Sequence, residues 1–317
     1  MAARMGATQI TLTAGEGVDH IRDITSAVRF YGFESWADYL AALCKSVLEF
    51  KGERVLFPVL DVGRLGYRDY QKIAPYVSQI RVLLESADDS LLQKAAHSQA
   101  GHKDLDSRTM ALDELGRSHI PVITGTRIGI GESEDSWLAV AARASAIYRR
   151  HRNLCGFSIL PFRPVPYSTM AFVPPIPDEM VARAVATIRK ELHPHIPINV
   201  EMPANPAYSM KFIGTMCSEL GIVRYGSNER LNVDIPHAMA TVCEQLRDQD
   251  IGLQEALPYP SRYLENYYLP ELLQATVARY REFRLSRGAF NDETASGGLR
   301  HSTRKAETGH SYNHQTH

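Results

Sequence analysis

The sequence lacks most of the features that would mark a specialised class of protein. Its four cysteines, Cys44, Cys155, Cys217 and Cys243, lie far apart with no Cys-x-x-Cys pair. That spacing excludes a disulfide framework and a local zinc site, and leaves reduced, mostly buried thiols as the plain reading. There is no excess of either charge: 35 Lys and Arg stand against 36 Asp and Glu, a net charge of −1. The electrostatic footprint of a nucleic-acid or membrane-surface binder is therefore missing. No apolar run approaches the roughly 18 residues of a membrane span. The opening MAARMGATQITLTAGEGVDH has no charged-then-apolar leader layout. These absences lead to the expectation of a cytoplasmic protein with no nucleic-acid or membrane partner.

What is present is an ordinary globular composition, 44% hydrophobic and 22% charged, over 317 residues. That length suits two modest domains, or one α/β barrel of about 250 residues with a tail. Seven β-rich runs recur along the chain: Thr8–Thr13, Val55–Leu60, Ile80–Leu84, Pro121–Gly125, Gly156–Leu160, Ile196–Glu201 and Gly221–Tyr225. Most are aliphatic runs of the kind buried on both faces of a parallel sheet. Amphipathic segments lie between them. Ser35 with Asp38 opens one helix, carrying Leu40, Leu43, Cys44 and Val47 on one face. Ser133 opens a second, with Trp137, Val140, Ala141, Ala144, Ile147 and Tyr148 in one stripe, and Pro177 opens a third through Val181, Ala184, Val185, Ile188 and Leu192. Ala238–Gln249 and Pro270–Arg284 read as two more.

Alternating βαβα units with right-handed crossovers permit a doubly wound sheet or a closed barrel, and the regular repeat favours a (β/α)8 TIM-type barrel. Such a barrel needs eight strands. The first βα unit is expected to be the missing one, upstream of Met1. Residues 1–285 are read as the barrel. From Ser286 onward large apolar residues become sparse, so 286–317 is expected to be a disordered tail, with His310, His314 and His317 solvated.

The ends of the strands are where such a barrel places its chemistry. The first ends in Ala14-Gly15-Glu16-Gly17, glycines around a carboxylate suited to an ammonium group. The third ends in Glu85-Ser86, a carboxylate and a hydroxyl suited to ribose or an amine. The fourth leads into Gly125-Thr126-Arg127-Ile128-Gly129-Ile130-Gly131-Glu132-Ser133. No third glycine follows Gly131, so a Rossmann fingerprint fails, and close backbone approach to a flat adenine-like ring is the better use. Arg108, on a helical segment before this strand, is placed to pair a carboxylate or to form a surface salt bridge.

Taken in order, several motifs resemble the radical S-adenosylmethionine (SAM) subunit of 8-hydroxy-5-deazaflavin (FO) synthase. They are Glu85-Ser86, His102-Lys103-Asp104 with Arg108, Gly125 to Glu132, Phe162-Arg163-Pro164, Met170-Ala171, Pro203-Ala204-Asn205 and Leu257-Pro258-Tyr259-Pro260-Ser261-Arg262-Tyr263-Leu264. The likeness runs from about Ala2 to Arg284. It implies a radical-SAM barrel in which a 4Fe-4S cluster on three cysteine thiolates cleaves SAM to a 5′-deoxyadenosyl radical. That radical abstracts hydrogen and leads to C–C bond formation on a small molecule, tyrosine-derived or a ribityl aminouracil, with a second radical-SAM subunit as a partner. By position, the resemblance assigns Gly15 and Glu16 to the methionyl amine, Glu85 and Ser86 to the ribose, and Arg108 to the methionyl carboxylate. It assigns Gly129, Gly131 and Glu132 to the adenine side. Leu160, Phe162, Arg163, Asn205, Tyr225 and Asn228 fall in its substrate pocket.

The departures matter as well. The Cys-x3-Cys-x2-Cys loop of the family is absent from the sequence, and distant cysteines cannot reproduce its local geometry. Leu160-Pro161 stands where the family has Gln-Asn, and Tyr225-Gly226-Ser227-Asn228-Glu229-Arg230 where it has Trp-Gly-Gly-Ile-Ser-Pro. A cluster-free relative that binds SAM or a nucleoside without radical chemistry is the alternative. A third reading is an unrelated barrel enzyme using His20, His102 or His237.

Overall fold

The computed structural model describes residues 7–52, 54–97, 103–200 and 256–286, together with Cys217, 219–220, Glu244, 246–248, 251–252 and 300–301. Seven strands form one parallel sheet: β1 (Gln9–Thr13), β2 (Phe57–Asp61), β3 (Gln79–Arg81), β4 (Val122–Ile128), β5 (Leu154–Pro161), β6 (Ile198–Val200) and β7 (Glu219–Leu220). Each strand pairs in parallel with its successor in the chain, in the order β1 to β7. This consecutive order is that of a (β/α) barrel, because a doubly wound sheet reverses its order at a switch point. Among the described residues β1 and β7 pair on one side only.

The expected strands lie where the apolar runs placed them, with two instructive differences. β3 stops at Arg81, and four residues on Glu85 takes a left-handed backbone (φ 64°) and meets Thr126 of β4 in an isolated bridge. The last strand lies at 219–220, and the expected run 221–225 is outside the described residues.

Helices α1 (Arg22–Phe30), α2 (Trp36–Leu48), α3 (Tyr67–Ile73), α4 (Leu105–Arg117), α5 (Glu134–His151) and α6 (Asp178–Glu191) connect the strands. Ser35 caps α2 by accepting from the Asp38 N–H, and Ser133 caps α5 by accepting from the Ser136 N–H. The stripe of α5 expected from the sequence, Trp137 to Tyr148, is buried against the sheet. Strand β5 is buried along its whole length, as a strand covered on both faces should be.

Two further helices, α7 (Ser261–Asn266) and α8 (Glu271–Ser286), pack at the N-terminal ends of β2 and β5. There Phe57 meets Tyr259 and Tyr280 edge to face, at ring separations of 6.1 and 5.8 Å. Most of the expected helix Ala238–Gln249 is outside the described residues, as is the tail except for one short pairing. In it, β8 (Ile251–Gly252) runs antiparallel to β9 (Arg300–His301). Among the described residues no helix is long and apolar enough to cross a membrane.

Candidate functional site

A cleft of about 320 Å³ opens at the C-terminal ends of the strands, between β1, β2, β3, β4, β5 and the start of α4. Its first acid is Glu16, just past β1. The backbone of Gly63, past β2, comes so close that a Cβ there would meet the Glu16 Cα at 2.9 Å; Gly63 also needs its positive φ of 76°. Two guanidinium groups hold the Glu16 carboxylate. Arg64 donates from Nε to Oε1 at 3.1 Å, and Arg108, from α4, donates from Nη2 to Oε2 at 2.6 Å. Arg108 is buried, so the surface salt bridge weighed for it does not describe its environment. Its Nε is a buried donor with no hydrogen-bond partner among the described residues.

The second acid is Glu85, set by the turn that ends β3. The Arg127 N–H and the Thr126 hydroxyl both donate to the Glu85 carbonyl, at 3.0 and 2.7 Å. Its buried carboxylate accepts from Lys103 Nζ at 2.9 Å and from Arg127 Nε at 3.3 Å. Burial alone would raise its pKa, but the Arg127 and Lys103 cations outweigh burial and hold it down to about 2. Nearby His97 is pushed down, first by burial and next by the Lys103 charge. Ser86 hydrogen-bonds Ser136 Oγ at 2.9 Å and accepts from the Asp88 N–H.

The glycine-rich turn after β4 is closed on itself. The Glu132 carboxylate accepts from the Gly129 and Ile130 N–H groups at 2.7 and 2.8 Å and from the Trp137 indole at 2.9 Å. A Cβ on Gly129 (φ 85°) would strike Ile176, and Gly131 also has a positive φ, of 103°. Gly129, Gly131 and Glu132 are not among the residues lining the cleft, whereas Glu16, Glu85, Arg108 and Leu160 are. Gly15 sits next to Glu16 in the same turn. Phe162 packs with Leu91 and Ile130 beside the cleft, and Arg163 follows it, half-buried. Asn205, Tyr225 and Asn228 lie outside the described residues.

Sequence reasoning missed Asp61, Gly63, Arg81 and Arg127, which line the cleft, and Arg64 beside it. The available signal was position: each lies at or just past the end of β2, β3 or β4.

Cys44, Cys155 and Cys217 are buried and form no disulfide among the described residues, and burial pushes the thiols of Cys44 and Cys217 up to about 12. Cys243, His102 and His237 lie outside the described residues, and His20 is exposed beside Asp19. Among the described residues no three His, Cys, Asp or Glu side chains group to hold a metal.

No protein-family model matches the chain. It is 24% identical over 282 residues to the 7,8-didemethyl-8-hydroxy-5-deazariboflavin synthase of Methanobrevibacter smithii, an alignment that covers 87% of this chain and 81% of the relative. The synthase of the same name from Methanothermobacter thermautotrophicus is 25% identical over 285 residues, 89% of this chain and 85% of the relative. Among solved structures, the FeFe-hydrogenase maturase HydG matches with a TM-score of 0.60 at 16% identity, over 89% of this chain and 59% of that one. HydG from Carboxydothermus hydrogenoformans gives 0.53 at 15% identity, over 90% of this chain and 70% of that one. The chain is similar in sequence to these deazariboflavin synthases, and its α/β fold is similar to that of HydG.

Proposed function

We propose that the chain binds S-adenosylmethionine in this cleft, as the SAM-binding barrel of an enzyme of the deazaflavin-synthase kind that acts on a small molecule. The observation that carries the reading is the Glu16–Arg108 pair, with opposite charges 2.6 Å apart on two different elements. An amino-acid zwitterion inserted there exchanges one ion pair for two: its ammonium meets Glu16 and its carboxylate meets Arg108. Arg64 holds and orients the Glu16 carboxylate, and the Arg108 Nε, without an acceptor among the described residues, gives Arg108 donor capacity for a second carboxylate oxygen. Glu85, ionised and fixed by its turn, accepts from ribose hydroxyls. The cleft volume lies within the roughly 300–1,000 Å³ of small-molecule sites.

Where a reduced 4Fe-4S cluster stood beside it, SAM would be the source of a radical for hydrogen abstraction. The described cysteines do not fit that cluster. They are scattered over α2, β5 and the stretch before β7, and the two with raised pKa are held as thiols where a cluster needs thiolates. No radical step is therefore derived from these residues, and the proposal is SAM binding.

Calorimetric titration of the full chain tests it. SAM should bind, and Glu16→Gln or Arg108→Met should each weaken binding by about tenfold or more. Absence of heat and of competition up to about 1 mM SAM would overturn the reading. Iron counted in anaerobically isolated native protein, with its intact mass, shows whether radical chemistry accompanies binding. About four irons would support it, and none would remove it.

A further inference from the structure

We infer that the same cleft seats an anionic second ligand, a small molecule bearing a carboxylate or phosphate group, on the fork of Arg127 with Lys103 beside it. This deepens the SAM reading and rests on it.

Charge balance is the first support. Each cleft glutamate is held by two cations: Glu16 by Arg64 and Arg108, Glu85 by Lys103 and Arg127. Arg81 and Asp61 also line the cleft and cancel formally. Four cations thus line the cleft against three carboxylates among the described residues, with Arg64 beside Glu16. The setting is sheltered, with Arg81 4% exposed and the side chains of Lys103 and Arg127 24% and 34% exposed, so water screens the surplus only in part. SAM is itself a net cation, because its sulfonium adds to a zwitterion. Filling a positive cleft with a cation alone worsens the imbalance; a companion anion corrects it.

Unused donors are the second support. Arg127 spends its side-chain Nε on Glu85, and its two terminal nitrogens have no protein acceptor among the described residues. Lys103 donates to the same carboxylate at its other oxygen, with two ammonium hydrogens to spare. The two side chains come from β4 and from the segment ahead of α4, converging on Glu85. A planar fork with an ammonium beside it matches two oxygens of one carboxylate or phosphate.

The test titrates the full chain with inorganic phosphate and, separately, with malonate, at constant ionic strength set by chloride, with and without saturating SAM. At least one anion should bind, and Arg127→Gln and Lys103→Gln should each weaken it by about tenfold. Arg127→Lys, which keeps the charge but loses the fork, should give a smaller loss. The anion should tighten SAM binding by about fivefold, and SAM should tighten anion binding by the same factor. Phosphate alone binding identifies a phosphorylated ligand, and malonate alone a carboxylic acid. SAM binding with neither anion bound, or anion binding that Arg127→Gln leaves intact, overturns this inference and spares the SAM reading. Anion binding lost in Arg127→Gln, with no SAM binding at all, does the reverse. Because a substituted chain can fold poorly, the wild-type unfolding midpoint is measured as well. It should rise in phosphate or malonate over chloride at equal ionic strength, and no rise would count against the site.

Discussion

The two ends of this one sheet use their polar groups in opposite ways. At the N-terminal ends of the strands, Phe57, Cys155, Tyr259, Tyr263 and Tyr280 pack under α7 and α8. Polar tips there close on backbone: the Tyr263 hydroxyl donates to the His119 carbonyl at 2.7 Å and the Tyr267 hydroxyl to the His151 carbonyl. At the C-terminal ends, carboxylates meet guanidinium and ammonium groups, and donors are left over at Arg108 and Arg127. The same strands therefore run from an end packed with aromatic rings to an end that gathers charged side chains. A barrel separates stability from chemistry in just this way, because its loops at one end vary while the other end is packed shut.

Substitutions at each end should keep to their own side of that division. Phe57→Ala, which empties a fully buried aromatic site, should cost about 4 kcal/mol in denaturant unfolding, with SAM affinity below the transition unchanged. A matching loss of affinity would break the comparison. Next comes acid. Glu85 has a folded pKa of about 2 against an ordinary 4.5, so its pairing stabilises the fold above pH 4.5, and that contribution fades as pH falls towards 2. The wild type should lose about 3 kcal/mol more between pH 5 and pH 2 than Glu85→Gln, read by guanidinium unfolding at each pH. Equal pH profiles would show that the cleft charges contribute nothing to stability.

Arg108→Met should lower SAM affinity about 30-fold, or about 2 kcal/mol, since Glu16 keeps Arg64 while the methionyl carboxylate loses its only assigned cation. Smallest is Ser35→Ala. It removes the cap of α2 and should cost about 1 kcal/mol of stability, with no change in titrations of the cleft. An effect on binding would show that helix ends near the cleft also set its shape.

Much of the fold was legible because buried parallel strands announce themselves as apolar runs, and α5 laid its stripe at helical spacing. The truncation of β3 was hidden. Val82 and Leu84 are apolar and fully buried, yet Glu85 turns left-handed, a conformation no residue-level pattern encodes. Glu16, Glu85 and Arg108 could be found because they sit beside glycines or within motifs. Arg64, Arg81 and Arg127 could not, because an arginine after or inside an apolar run, or carried within a glycine motif, gives no sign of facing the cleft until the barrel turns it inward. Glu132 shows the converse: it stands in a motif, and its carboxylate is taken up by the turn that carries it.

Gly63 has a bearing on how this chain can change through descent. A side chain there would collide with the Cα of Glu16 as well as with its Cβ and Cγ, so exchanging the acid does not make room. The two positions therefore answer to different pressures. Glycine at 63 persists in any descendant that keeps the barrel, working or idle, while the acid at 16 is free to drift once nothing binds. Sequences in which 63 stays glycine and 16 scatters would mark lineages that kept the fold and gave up the ligand.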